Sequence, residues 1–193
     1  MIAAAELEPW LVAQGVLVGS DDTFTFAGGD VANQKLDFDR IERDTFGYHA
    51  MIRLMEDKLA GLFPKADDIA LVPIPSGAAQ FTHDLAAENT RFSFYSMLEK
   101  DPDTRALTLK DRFTCADDQP DNIVFVDDIF TRGTMLRRAH ALLPNALGSI
   151  VGWDRSPQAE RRRCALFYET GHMVSALIHT EVALLQQDNP GAA

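Results

Sequence analysis

The sequence predicts an α/β fold with a mainly parallel sheet flanked by helices. Short apolar runs that suit buried strands alternate with segments whose apolar residues recur at helical spacing. The two clearest runs, 69–74 and 123–126, each end in a turn that opens a helical segment. Because strands that alternate with helices form βαβ units, this order favours a parallel sheet.

Length and composition indicate one domain over residues 1–193. Apolar residues make up 46% and charged residues 24%, which is ordinary for a globular protein. The formal net charge of -11 argues against nucleic acid as a partner, since Lys and Arg provide most of that affinity. No apolar run approaches the roughly 20 residues of a membrane span, and no basic leader suggests a signal peptide. With two cysteines in no metal-binding pattern, we expect a cytoplasmic protein.

The elements are expected in a definite order. Residues 1–43 should form a small N-terminal hood. Its parts are a helix near 7–14 and strands 16–18 and 24–26 around a turn at 19–22. The rest should comprise helix 45–62, strand 69–74, helix 78–88, strand 91–97, a long loop 98–121 with a short strand near Leu107, strand 123–126, a helix over 135–143, strands 149–153 and 165–168, and a frayed tail 188–193.

The strongest chemical signal lies between Asn122 and Met135. The predicted strand delivers Asp127 and Asp128 to the carboxyl edge of the sheet, where open α/β folds bind ligands. A turn at 131–135 then opens a helix, whose free N–H groups and dipole suit a phosphate. Carboxylates suit ribose hydroxyls or a Mg²⁺ ion. Together these residues predict a sugar-phosphate site.

Other interpretations of Asp127 and Asp128 are available. Paired aspartates at a strand end can simply cap the next helix, and this alternative remains open. A receiver domain also has a strand ending in two aspartates, but it needs a later phosphoacceptor Asp and a Lys strand. Only Asp154 and Asp188 follow, so we set the receiver aside. Another doubly wound nucleotide binder is a more remote possibility.

The segment resembles the signature of type I phosphoribosyltransferases, an apolar strand, two acids and a Thr-Thr-Gly-Gly-Thr-like loop. The match falls on Asp127, Asp128, Thr131 and Gly133. The resemblance implies Mg²⁺-dependent transfer of ribose 5-phosphate from phosphoribosyl pyrophosphate to a nitrogen base. It assigns catalysis to Asp127, Asp128 and Lys100, with Mg²⁺ held through the substrate and possibly by both aspartates. It assigns the 5-phosphate to Thr131, Arg132, Gly133, Thr134 and Met135.

Two further segments support the resemblance. The strand 69–74 and its small-residue turn resemble the family's pyrophosphate loop, formed here by Ser76, Gly77, Ala78 and Ala79. Over residues 15–170 the orotate phosphoribosyltransferase branch fits best. In that branch an Asp-Arg pair like Asp154-Arg155 binds the carboxylate of orotate through the Arg, and Lys35 would also face the base. A surface arginine after a strand is an equally open interpretation of Arg155, and the run 161–163 is expected to be a solvated turn.

The chain departs from the family at several positions. Arg132 stands where a Thr is usual, and Met135 stands where a Ser or Thr usually binds phosphate. The orotate branch is a homodimer in which a mobile Lys- and Arg-rich loop closes over the neighbouring subunit's site. The corresponding residues here, Lys100, Arg105, Lys110 and Arg112, are interspersed with acids. These departures motivate an alternative, a non-catalytic sugar-phosphate-binding or regulatory protein on the same fold.

Overall fold

A computed structural model describes residues 4–25, 31–37, 40–41, 43, 45–75, 77–155 and 159–179. Five parallel strands form the central sheet, in the spatial order β4 (Phe92–Phe94), β3 (Ile69–Pro73), β7 (Asn122–Phe130), β8 (Gly148–Asp154) and β9 (Met173–His179). The helices are α1 (Ala4–Ala13), α2 (Phe46–Leu62), α3 (Ala79–Glu88), α4 (Thr134–Leu142) and α5 (Ala159–Thr170). Two antiparallel hairpins pair β1 (Leu17–Thr25) with β2 (Val31–Leu36), and β5 (Leu98–Lys100) with β6 (Leu107–Leu109). The predicted α/β class is confirmed.

The direction in which successive parallel strands are added to the sheet reverses between β3 and β7. From β3 the chain passes through α3 to β4 on one side, whereas β7 lies on the other side and leads through α4 to β8. Pro73 pairs with Val126, and the amide of Ile74 donates to the Val126 carbonyl at 2.8 Å. Such a switch point opens a crevice at the carboxyl ends of the two strands, where α/β folds bind ligands.

Both faces of the sheet are covered, which explains why its central strands are continuous apolar runs. Val124 and Val126 belong to the core layer shared with α1, α2 and α3. Ile123 and Phe125 belong to the opposite layer, shared with α4, α5 and the β5–β6 hairpin. Each large apolar side chain buried in this way contributes about 1.5–3 kcal/mol. The two layers hold the carboxyl ends of β3 and β7 in place from both sides.

One predicted strand is wrong. Residues 165–168 lie in α5, where Leu166 is buried and Phe167 is exposed. A short apolar run cannot by itself distinguish a strand from one face of a helix. The final strand of the sheet, β9, follows this helix and was not predicted. Only two of its seven residues, Val174 and Ile178, are buried, because it lies at the edge of the sheet.

The predicted loop 98–121 is wrong in part, because residues 98–109 form the β5–β6 hairpin, whereas the short strand predicted near Leu107 is confirmed as β6. The predicted turn 19–22 instead lies within β1, where the pairing register shifts between Gly19 and Phe24. Strand 91–97 is shorter than predicted and ends at Phe94. The predicted tail 188–193 lies outside the described residues. Within those residues, no helix is long and apolar enough to cross a membrane.

Candidate functional site

The acid pair lies at the carboxyl end of β7, beside the switch point. This strand runs to Phe130, further than predicted, so that Asp127 still pairs with Val151 of β8. The Oδ1 atom of Asp127 accepts from the Asp128 amide at 3.0 Å, and that of Asp128 accepts from the Ile129 amide at 2.8 Å. Both carboxylates are therefore held by the backbone beside them.

The two carboxylates perturb each other. Burial raises the pKa of Asp127 well above its usual range, and the charge and hydrogen bonding of Asp128 raise it further. The positive charge of Lys100 acts in the opposite direction. Two acids that share a partly buried site cannot both ionise cheaply unless a cation or hydrogen-bond donors join them. The pair is thus chemically suited to a divalent cation or to sugar hydroxyls.

The loop after β3 lies directly against this pair. A Cβ atom added to Gly77 would collide with Oδ2 of Asp128, so only glycine permits this approach. Ala78 is buried behind the loop, and Ala79 begins α3. Ser76 lies outside the described residues. The structure therefore brings together two segments that are about fifty residues apart in sequence and were predicted to share one site.

The turn after β7 also follows the prediction in outline. Gly133 precedes α4 with φ 69°, a left-handed conformation, and a Cβ there would lie 2.6 Å from Cε2 of Phe130. The first amides of α4 have no intrahelical acceptors and point out of the helix. Met135 packs against the core, Thr131 and Thr134 are half-buried, and Arg132 is exposed.

Arg155 is buried at the end of β8, which contradicts the alternative of a surface arginine. Its amide donates to the carbonyl of Phe130 at 2.9 Å, and the residue is only 3% exposed. Neither Nη1 nor Nη2 has a hydrogen-bond partner among the described residues, and burial lowers the pKa of the guanidinium. A buried, unpaired guanidinium costs several kcal/mol, so an anionic ligand would be strongly favoured there. Lys35 lies on β2, but the structure does not describe its side chain.

The neighbouring Asp154 has partners of its own. It is fully buried, and Nη1 of Arg163 lies 3.2 Å from its Oδ2 atom. Nδ1 of His179 lies 3.8 Å from the same atom. The expected solvated turn at 161–163 is therefore wrong, since these residues lie in α5 and Arg163 contacts a buried acid. Sequence reasoning missed this contact because no local spacing links α5 to the end of β8.

Lys100 approaches the site from the β5–β6 hairpin. Its Nζ atom lies 3.4 Å from the Pro75 carbonyl, at the start of the loop that contains Gly77. Among the described residues, no group of three or more His, Cys, Asp or Glu side chains could hold a metal ion. Asp127 and Asp128 would therefore provide at most part of a coordination shell.

Solved structures of phosphoribosyltransferases share this fold. Orotate phosphoribosyltransferase from Aeropyrum pernix is 17% identical, with a TM-score of 0.65, over 90% of this chain and 93% of that one. Adenine phosphoribosyltransferase from Saccharomyces cerevisiae is 18% identical, with a TM-score of 0.60, over 90% and 99%. UMP synthase from Leishmania donovani is 18% identical, with a TM-score of 0.62, over 92% of this chain but 36% of that one.

No protein-family model and no curated protein sequence matches the chain. The structural likeness confirms the predicted type I phosphoribosyltransferase fold. Because the similar structures include enzymes named for different bases, the fold alone does not select an acceptor.

Proposed function

We propose that this protein transfers ribose 5-phosphate from phosphoribosyl pyrophosphate to a nitrogen base and releases pyrophosphate. The approach of Gly77 to Asp128 carries the proposal, because it joins the anion-binding loop after β3 to the acid pair after β7. Both segments lie at the switch point of the sheet, where this fold class binds ligands. A substrate with a sugar between two phosphate groups matches that arrangement in charge and order.

Each segment has a distinct role in this proposal. Asp127 and Asp128 bind the ribose hydroxyls, while the amides of residues 131–135 bind the 5-phosphate. Gly77 to Ala79 line the pyrophosphate, and Lys100 offsets its charge. As the bond to pyrophosphate breaks, positive charge develops on the sugar, and nearby carboxylates stabilise it. Positioning the base and the sugar together lowers the remaining barrier.

The site is chemically suited to Mg²⁺ as a cofactor. Mg²⁺ prefers oxygen ligands and is usually held by one or two carboxylates together with substrate phosphates. Asp127 and Asp128 offer such oxygens, and a bound cation would offset the burial and the charge of Asp128 that raise the pKa of Asp127. When bound, the ion would neutralise the pyrophosphate and make it a better leaving group.

The acceptor that the chain favours is a nitrogen base that carries a carboxylate, such as orotate. The guanidinium of Arg155 is buried near the end of β8, one strand away from the acid pair, and its Nη1 and Nη2 atoms have no hydrogen-bond partner among the described residues. An Arg fork binds a carboxylate through two parallel hydrogen bonds. A neutral purine would leave this charge unpaired.

The test is an assay of pyrophosphate release with phosphoribosyl pyrophosphate, Mg²⁺ and a panel of bases. We expect turnover with orotate and little or none with adenine, guanine or uracil. Turnover of purines alone would overturn the acceptor but leave the transfer reaction standing. If phosphoribosyl pyrophosphate neither reacts nor binds, the proposed function is wrong.

A second candidate is a protein that binds the same sugar phosphate without turning it over. It is favoured by Met135, which packs against the core where the family usually offers a hydroxyl to the phosphate. In that case phosphoribosyl pyrophosphate with Mg²⁺ would raise the melting temperature, but no base would release pyrophosphate. The same panel therefore distinguishes the two functions.

A further inference from the structure

The β5–β6 hairpin is packed onto its own chain. Leu98 and Leu107 are 3% and 8% exposed, and they share a core layer with Phe113 and the residues of α4. Near the tip of the hairpin, Nη1 of Arg138 in α4 donates to the Arg105 carbonyl at 3.0 Å. The hairpin is thus anchored at its base by apolar burial and at its tip by a hydrogen bond.

The acids in the hairpin have a structural role. The amide of Asp101 donates to the Ala106 carbonyl, and that of Arg105 donates to the Asp101 carbonyl, both at 2.9 Å. Oδ1 of Asp101 also accepts from the amides of Asp103 at 3.0 Å and Thr104 at 2.6 Å. Because Asp101 closes the tip in this way, it favours an ordered turn over a mobile loop.

Of the four cations singled out in the predicted loop 98–121, Lys100 is directed to the site. It contacts the Pro75 carbonyl, and its charge acts on Asp127. Lys110 instead donates to Oγ of Ser96 at 2.6 Å, and Arg112 lies 4.4 Å from the ring centroid of Phe113. A lysine has three N–H donors, so Pro75 leaves at least two for a bound anion.

We propose that Lys100 completes the pyrophosphate site of its own chain, without a loop from a neighbouring subunit. This inference rests on the proposed function. Since the hairpin is already packed against α4, ligand binding does not have to order it, and less affinity is lost than with a mobile loop. The arrangement differs from the closing loop of the orotate branch, in which the cations come from the other subunit of a dimer.

Single variants test the role of Lys100. Isothermal titration with phosphoribosyl pyrophosphate and Mg²⁺ should show affinity lowered roughly ten- to hundredfold in Lys100→Ala. Lys100→Arg should recover most of it. Arg105→Ala is the matched control, because it removes one positive charge from the exposed hairpin tip and should change affinity less than about twofold. Equal effects of Lys100→Ala and Arg105→Ala would overturn the proposal.

A hybrid protein tests whether the site is completed within one chain. Lys100→Ala and Asp127→Asn/Asp128→Asn chains carrying different tags are co-expressed, and hybrids are isolated on both tags. We expect no site of wild-type affinity in the hybrid, because one chain lacks Lys100 and the other lacks the acid pair. If half of the chains regain wild-type affinity, Lys100 acts on the neighbouring subunit and the proposal is wrong.

The remaining outcomes are equally decisive. If no hybrid forms because the protein is a monomer, wild-type binding by that monomer supports completion within one chain. If wild type does not bind phosphoribosyl pyrophosphate, the proposed function fails and this inference fails with it. If the hybrid regains wild-type affinity and the wild-type protein binds phosphoribosyl pyrophosphate, this inference is wrong but the proposed function stands.

Discussion

The two ends of the central sheet bury polar groups in opposite ways. At the amino end, His140 lies beside the start of β8, only 3% exposed. Its Nε2 atom lies 3.0 Å from Oγ of Ser149, and its ring stacks on His172 with centroids 4.0 Å apart. Burial, together with the charge of the nearby His172, lowers the pKa of His140 to about 3, so the His140 ring is neutral near pH 7.

At the carboxyl end, Arg155 keeps its charge although it is buried without a partner among the described residues. Arginine does not lose its proton under ordinary conditions, so this cost persists until an anion arrives. Nδ1 of the neutral His140 also has no hydrogen-bond partner among the described residues, but an uncharged nitrogen costs far less to bury than a guanidinium. The comparison shows that one end favours stability, whereas the other retains charge that suits ligand binding.

The largest effect should come from the acid pair. Asp127→Asn/Asp128→Asn should weaken phosphoribosyl pyrophosphate–Mg²⁺ binding by more than about a hundredfold and abolish its thermal shift. The folded-state pKa of Asp127 is raised, so its contribution to stability is lost as pH rises through that value. The free double variant should therefore melt higher than wild type at pH 8.

Asp121→Asn is the matched control, because it removes an exposed carboxylate just before β7. It should leave both the melting temperature and the ligand-induced shift unchanged. A normal ligand-induced shift in the double variant would place the sugar-phosphate site elsewhere.

A second prediction contrasts two arginines that differ in their partners. Arg155→Met should raise the free energy of unfolding by about 1–3 kcal/mol, because it replaces with an apolar chain a buried charge whose Nη atoms have no hydrogen-bond partner among the described residues. It should also raise the KM for orotate by about two orders of magnitude while leaving phosphoribosyl pyrophosphate affinity unchanged. Denaturant titration and steady-state kinetics measure the two effects.

Arg163→Met should have the opposite effect on stability, because it removes the cation beside the buried carboxylate of Asp154. If Arg155→Met destabilises the free protein as much as Arg163→Met does, then Arg155 is a structural residue. The contrast between the two ends of the sheet would then fail.

The histidine pair gives a pH-dependent prediction. The folded-state pKa of His140 lies below its usual value, so the unfolded chain binds the extra proton between about pH 3 and 6.5. Stability is therefore complete above pH 6.5 and falls with acid, by about 2 kcal/mol between pH 7 and pH 5. Measured by urea unfolding, the free energy of unfolding of His140→Gln should not show this fall between pH 7 and pH 5. The exposed-residue variant His83→Gln should show it. The same slope in all three proteins would show that His140 is not the titrating group.

A feature of the fold or of the site could be predicted from the sequence when its residues lie in one short segment of the chain. The acid pair and the Gly77 loop could be found because each follows an apolar run that stands out from its surroundings. The contact of Arg163 with Asp154 could not, since it joins a helix to a strand end only after both have packed. Of the β5–β6 hairpin only the strand near Leu107 was predicted, because the hairpin residues are mostly polar and only Leu98 and Leu107 among them are buried.

The smallest predicted effect concerns the close approach of Gly77 to the acid pair. Gly133 is a poor choice for separating binding from stability, because it is buried with positive φ and any side chain there would strain the fold. Gly77 is exposed and has an ordinary φ, and the three atoms nearest to an added methyl group all belong to the Asp128 carboxylate. Gly77→Ala should lower phosphoribosyl pyrophosphate affinity about tenfold while changing the free energy of unfolding by less than about 0.5 kcal/mol.

Gly61→Ala provides the matched control for this glycine. Gly61 lies inside α2 with open space around it, so the same added methyl should stabilise the protein by up to about 1 kcal/mol and leave affinity unchanged. Titration calorimetry and denaturant unfolding of the two variants therefore separate an effect at the site from an effect on the backbone. If Gly77→Ala unfolds the protein but binds normally, the glycine serves only the turn after β3. The loop and the acid pair would then be neighbours without sharing a ligand.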